Sequence, residues 1–320
     1  MDITILGTES LGVRGLACMV RAGRRRIMID PGLALGLLRH GLYPHPLQVA
    51  TAEKIRRRIV EAVSQATDLV FSHFHGDHVP LAHPNPYQMG LAHFPRKTAF
   101  LPAWRLGNED LPDKSRKRCA NLESYFGNCL QTGEGRDDGV LAFSGAMPHG
   151  EPKSHMGQLM MTRVRDEKTV FVHASDIQLV HAPTIEKILA WEPDIVLASG
   201  PPLYLKQLEW NARQSAMENG LRLARGVKTL ILDHHLLRDE SGLTWLEELS
   251  MAAGREVLCA ARFMGRNPLL LEAWRERLYA AMPVADDWHD RYARGEADPA
   301  EYLERAVHCG LPELAEVNRL

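Results

Sequence analysis

Between positions 73 and 78 the chain reads His73-Phe74-His75-Gly76-Asp77-His78, three imidazoles and one carboxylate in a single short stretch. Side chains of these types bind divalent metals: zinc readily, and also iron, manganese or cobalt. The preceding run Asp68-Leu69-Val70-Phe71 reads as a short buried strand. His73 and His75 lie two apart, so an extended chain turns both imidazoles to one side. Gly76 lets the backbone turn and brings Asp77 and His78 to nearly the same point. Packing alone explains such a cluster poorly, because polar groups gathered at a strand end cost free energy unless something binds them.

The spacing resembles the H-x-H-x-D-H signature of the metallo-β-lactamase superfamily. The whole chain also resembles a poorly characterised branch of metal-dependent hydrolases within it. The resemblance implies an α/β fold: an αββα metallo-β-lactamase-like sandwich with a helical C-terminal extension. The expected catalytic domain is 1–243, with 79–139 as a lid insertion, and 244–320 is the helical extension packed on the core. The resemblance also implies two divalent metal ions, Zn2+ first with Fe or Mn as alternatives. It assigns His73, His75 and His149 to one ion and Asp77, His78 and His234 to the other. Asp176 lies between them, and Asp30 supports a ligand histidine from behind. Matching to relatives that end in His-Phe-Ser-x-Arg sets His234 on the ligand and Arg238 on their arginine. His235 stays open, because neighbouring strand residues face opposite ways.

Seven ligands exceed the four of a tetrahedral zinc and suit two ions about 3.5–4 Å apart. The implied activity is a dinuclear metal-dependent hydrolase using a metal-bridging hydroxide on an ester, lactone or phosphodiester. Asp77 is also a candidate to orient that hydroxide, and His155 and Lys153 are candidate acids. A di-iron redox protein on the same fold is a second reading, which the lack of an appended flavodoxin-like domain disfavours. A non-catalytic metal-binding scaffold is a third, disfavoured by the complete ligand set.

The elements that must position these residues are legible in outline. Ile3-Thr4-Ile5-Leu6 reads as a first strand, and Cys18-Met19-Val20 and Arg26-Ile27-Met28-Ile29 as a hairpin closed by Asp30-Pro31-Gly32. His40 and His45 fall in a loop-like segment and read as surface histidines. Ile55, Ile59, Val60 and Val63 recur at helical spacing, which predicts a helix over 51–63 with Arg56, Arg57 and Arg58 in solvent. From 79 to 139 prolines interrupt the pattern, as in a functional lid. That segment holds the run Lys114-Ser115-Arg116-Lys117-Arg118, a hint of an anionic substrate beside the plainer reading of a solvated turn. Strands are predicted at 140–144, 158–164, 169–172, 194–198 and 229–232, with helices over 184–191 and 206–225. His149, Asp176 and His234 each follow such a strand, whereas His173 reads as a satisfied strand histidine.

Composition adds boundaries. The 320 residues, 45% apolar and 24% charged, suit an ordinary globular chain with a large core. A net charge of -2 gives no general reason for nucleic-acid binding, although it does not exclude it. Cys18, Cys119, Cys129, Cys259 and Cys309 are scattered and odd in number, which argues against a disulfide framework or a thiolate zinc site. Met1 leads directly into a strand, so no signal peptide is expected, and no apolar run approaches about 18 residues. The expected location is cytoplasmic, with a small-molecule or phosphodiester substrate, no membrane partner, and a homo-oligomer left open.

Overall fold

The computed structural model describes residues 1–107, 111–152 and 156–319. Lys153 and His155 lie outside the described residues.

Short β-branched runs form two sheets packed face to face. The first contains β1 (Asp2–Gly7), β2 (Ala17–Ala22), β3 (Arg25–Ile29), β4 (Asp68–Phe71), β5 (Ala103–Arg105) and β6 (Leu130–Thr132) in that order. The second contains β7 (Leu141–Pro148), β8 (Gln158–Arg165), β9 (Val170–Ala174), β10 (Ile195–Ala198) and β11 (Thr229–Leu232), again in chain order. In each sheet the first three strands pair antiparallel and the later ones parallel. The two halves therefore repeat one pairing pattern that the amino-acid sequence does not repeat. Parallel neighbours need crossover connections, and helices supply four of them. They are α1 (Pro46–Gln65) between β3 and β4, α2 (Asp113–Phe126) between β5 and β6, α3 (Ala182–Leu189) between β9 and β10, and α4 (Trp210–Gly226) between β10 and β11. With α1 against the first sheet and α3 and α4 against the second, the layers are αββα, as the resemblance implies.

Buried side chains such as Val20, Phe71, Met160, Val172 and Leu197 make up the core of the two sheets. One direct link joins them at the site, where Met160 N donates to Ser72 O at 2.8 Å. The helix after β3 starts earlier than its apolar stripe suggests. Pro46 occupies the first turn, where its missing N–H costs nothing. His45 caps that helix, and its Nδ1 accepts from Leu47 N at 3.2 Å while Nε2 meets Met282 O at 2.9 Å. His45 is therefore fully buried rather than on the surface, and burial pushes its imidazole down to about 4.

The segment 79–139 is irregular at first but then adds β5, α2 (Asp113–Phe126) and β6 to the first layer. Its strands are three residues each, too short to show a period. After β11 the chain is helical. It runs through α5 (Ser241–Ala253), α6 (Ala260–Phe263), α7 (Arg275–Ala281), α8 (Trp288–Ala293) and α9 (Glu301–His308). α5 packs on α4, α6 on β11 and on the turn after β1, and α9 on α1. Buried Asp233 ties this region together, accepting from Thr8 Oγ1 at 2.8 Å, Ser10 N at 3.0 Å and Ala260 N at 2.9 Å.

Two glycines set the loop that carries the histidine motif. A Cβ on Gly15, whose φ is +130°, would stand 2.6 Å from Asp77 O. A Cβ on Gly32 would collide with the backbone of His78 and Val79. Both neighbours are backbone and cannot swing aside. We expect Gly32→Ala to destabilise the protein by about 3 kcal/mol or more, at the upper end of overpacking costs, because a rigid strand-end loop must shift. Urea unfolding of the variant is the check, and a change within 0.5 kcal/mol (about the range of neutral surface changes) would contradict this close packing.

Candidate metal centre

The ends of β4, β7, β9 and β11 converge at one edge of the sandwich. β4 delivers Ser72 to His78, β7 delivers His149, β9 delivers Ser175 and Asp176, and β11 delivers Asp233 to His235. Asp176, only 1% exposed, stands at the centre. Its Oδ2 lies 2.7 Å from His149 Nε2, 3.1 Å from His73 Nε2 and 3.6 Å from His75 Nδ1. Its Oδ1 lies 3.2 Å from His78 Nε2 and 3.4 Å from His234 Nε2. The structure thus gathers His73, His75, His149 and Asp176 into one group, and Asp77, His78 and His234 into a second beside it. Asp77 Oδ2 is 3.6 Å from His234 Nε2, and Asp77 Oδ1 is 3.9 Å from His78 Nε2.

The backbone bends sharply to achieve this. Asp30, Asp176 and His234 adopt φ of 47°, 55° and 21°. Side chains other than glycine rarely hold such angles, and strain of this kind gathers at functional sites. Asp30 and Asp176 stand at corresponding places in the two halves, just past β3 and β9.

Behind the cluster, carboxylates fix which ring nitrogen faces inward. Asp30 Oδ2 accepts from Ser72 Oγ at 2.6 Å and lies 3.1 Å from His78 Nδ1. Ser72 Oγ in turn is 2.9 Å from His73 Nδ1. One carboxylate thereby orients a histidine of each group, directly for His78 and through a serine for His73. Glu9 does the same for His234, with Oε2 2.6 Å from Nδ1, while its Oε1 accepts from Arg238 Nε at 2.8 Å. Ser199 Oγ donates to Asp176 Oδ1 at 3.2 Å and accepts from Asp176 N at 2.8 Å.

With Nδ1 of His73 committed to Ser72, Nε2 is left as a buried lone pair without a hydrogen-bond partner, aimed at a carboxylate oxygen 3.1 Å away. Nε2 of His78 and of His234 also face one another at 3.2 Å while both Nδ1 atoms are turned to carboxylates. Lone pairs converging on each other and on a carboxylate call for positive charge between them. Histidine and aspartate are the ligand types for a divalent ion. The residues present fit such ions.

The protonation pattern agrees. Burial pushes the His73 imidazole down to about 3, so it stays neutral. Burial also lowers His234 and His235 well below the ordinary range, with the Arg238 charge assisting. Burial opposes charge on Asp176 and Asp77 too, but the neighbouring histidines, His78 foremost, outweigh it and lower both carboxyls. For His78 the two carboxylates overcome burial and raise it, which again marks a place that demands a cation.

His234 and His235 both reach the centre, on opposite sides. His234 faces Oδ1 of Asp176, while His235 Nε2 lies 3.5 Å from Oδ2. Arg238 bridges the second group, with Nη2 2.9 Å from His234 Nε2 and 3.4 Å from Asp77 Oδ2, and Nη1 3.2 Å from the Tyr204 hydroxyl. His173 is a buried strand histidine whose Nε2 meets Leu16 O at 2.9 Å. In the basic run, Arg118 donates to Phe74 O at 3.0 Å, bracing the motif loop, and Lys114, Arg116 and Lys117 are exposed. Sequence reasoning missed Glu9 and the orienting role of Ser72; both follow a strand, but neither residue type has a signature of its own there.

A cavity of about 310 Å³ opens beside the cluster, with His149, His235 and Arg238 in its lining.

No protein-family model matches the chain. A UPF0282 protein of Methanosarcina mazei is 46% identical over 303 residues, covering 95% of this chain and all of the relative. A UPF0282 protein of Pyrococcus abyssi is 32% identical over 289 residues, covering 87% of this chain and 92% of the relative. Among solved structures, the metallo-beta-lactamase fold protein YhfI of Bacillus subtilis aligns with a TM-score of 0.49 at 12% identity, over 83% of this chain and 97% of that one. Tm1679, titled a metal-dependent hydrolase of the beta-lactamase superfamily, aligns with a TM-score of 0.48 at 13% identity, over 80% and 94%.

Glu9→Gln keeps the shape of the side chain but removes the charge that faces His234 and Arg238. Outer partners of ligand histidines are commonly worth about 10–100-fold in metal affinity. We expect a loss of that size in a zinc titration against a competing chelator, and an unchanged affinity would show that Glu9 does not support the site.

Proposed function

The chain belongs to the UPF0282 protein family, and we propose that it is a dinuclear metal-dependent hydrolase acting on an ester, lactone or phosphodiester. The observation that carries this reading is the bridging position of Asp176, whose two oxygens address two separate sets of ligand-type nitrogens. In this reading His73, His75 and His149 would hold one ion, Asp77, His78 and His234 would hold the other, and Asp176 would serve both. Zinc suits the donor set, and iron and manganese are accepted by the same groups. Divalent ions so held supply Lewis acidity, which makes water nucleophilic near neutral pH and polarises a carbonyl or phosphoryl oxygen.

The remaining steps belong to the chain's own residues. The neutral His73 and His234 offer lone pairs without first losing a proton. Asp77 is half-buried and faces both the second histidine group and Arg238, so it can hold a proton-bearing oxygen in one orientation. Arg238 stands 3.4 Å from Asp77 Oδ2, joins His78 and His234 in holding that carboxyl ionised, and lines the cavity. The cavity meets the cluster at His149 and His235, which supports entry of the substrate from that side.

Asp176→Asn tests the reading through its central group. The amide keeps the volume and loses the charge between the ions. We expect metal content below two equivalents by elemental analysis and turnover reduced at least about 100-fold, the scale lost with a key electrostatic group. The parent protein should lose activity to a chelator and regain it with zinc, in a screen of esters, lactones and phosphodiesters. Full metal content in the variant, or hydrolysis that survives chelation, would reject the mechanism.

A further inference from the structure

We infer that the substrate carries an uncharged, largely apolar acyl group, seated in the cavity beside His149 and His235. The inference rests on the hydrolase reading above and chooses among its substrates.

Polar and apolar side chains share the cavity lining. At the cluster end stand His149, His235, Gln178 and Arg238, and the Tyr204 hydroxyl. Gln178 Nε2 is 3.4 Å from His149 Nδ1, and Arg238 donates to Tyr204, so these polar groups are tied to the metal cluster. Much of the remaining wall is side-chain hydrocarbon from Met156, Val180, Pro202, Leu205 and Leu208. A cavity of about 310 Å³ with convergent polar atoms at one end has the form of a small-molecule site.

The charges of the described lining residues favour an uncharged substrate over a phosphodiester. Arg238 is the cation among the described lining residues, and Glu9 and Asp77 already neutralise it. Glu151 and Glu209 also line the cavity, and both are exposed. A phosphodiester or oligonucleotide entering here would meet two carboxylates and no uncommitted positive charge among those residues. The basic run on α2 does not line the cavity. An acyl chain asks for hydrocarbon along its length and polar groups at its carbonyl, and the lining offers Met156, Val180, Pro202, Leu205 and Leu208 for the first and His149, His235 and Arg238 for the second.

The test uses straight-chain carboxylates as product-like probes on the zinc-loaded protein, titrated calorimetrically from acetate through butanoate and hexanoate to octanoate. Affinity should rise about fourfold for each methylene buried, the transfer value of about 0.8 kcal/mol expressed as a ratio. Leu208→Trp should flatten that rise by filling the cavity, with metal content in the same sample checking the fold. Affinity independent of chain length, or a dinucleotide that binds more tightly than octanoate, would overturn the inference. The two readings fail separately. A rising series without hydrolysis of octanoyl esters supports the cavity assignment and sinks the hydrolase. Hydrolysis of phosphodiesters with a flat series supports the hydrolase and sinks the acyl site.

Discussion

One buried carboxylate sets the terms for the rest of the molecule. Asp176 is 1% exposed and has two oxygens facing two sets of imidazoles. A carboxylate so deep in protein is costly unless paired or hydrogen-bonded. Four strand ends therefore have to arrive at one point, since no single segment can surround both oxygens. The αββα sandwich achieves this by placing the ends of two sheets side by side. The sharp backbone at Asp30, Asp176 and His234 is the local cost of aiming the side chains inward.

The repeated pairing pattern explains how the site is shared. Asp30 and Asp176 occupy equivalent turns after the third strand of each half, yet their duties differ. Asp176 lies among the inward-facing nitrogens, whereas Asp30 sits behind them and fixes Nδ1 of His78 and, through Ser72, of His73. Glu9 gives the same support to His234 from the turn after the first strand. The sheet geometry is nearly the same twice, but different side chains at the same corners make one turn a centre and the other a brace.

Legibility in the sequence followed distance along the chain. His73, His75, Asp77 and His78 were visible because they are contiguous and follow a plain strand. His149, Asp176 and His234 came from the resemblance, and the structure brings them to the motif. Glu9 was invisible because its partner His234 lies 225 positions away, and a glutamate after a strand has no signature of its own. Gly15 and Gly32 were equally silent, since their role is to admit the Asp77–His78 backbone, which only the fold places there. His45 was misread because a capping histidine before proline looks like loop until Leu47 and Met282 take its two nitrogens. The strands within 79–139 were too short for periodicity to register.

The helical segment after 243 supports the site from behind, through the turn that follows β1. Asp233, one residue before His234, anchors Thr8, Ser10 and the start of α6, so the turn bearing Glu9 is clamped between β11 and that helix. Leu269 N also donates to Ser10 O at 2.8 Å, and Glu272 grips Arg14 with two hydrogen bonds on the far side of the same turn. Glu9 is itself buried, and burial raises its pKa well above the usual range even with Arg238 beside it. The C-terminal contacts hold its turn in place, with Glu9 Oε2 on His234 Nδ1 and His234 Nε2 towards Asp176. The distant helices thus act on the chemistry through one hydrogen bond, by holding the acceptor of a ligand-type histidine where solvent cannot draw it away.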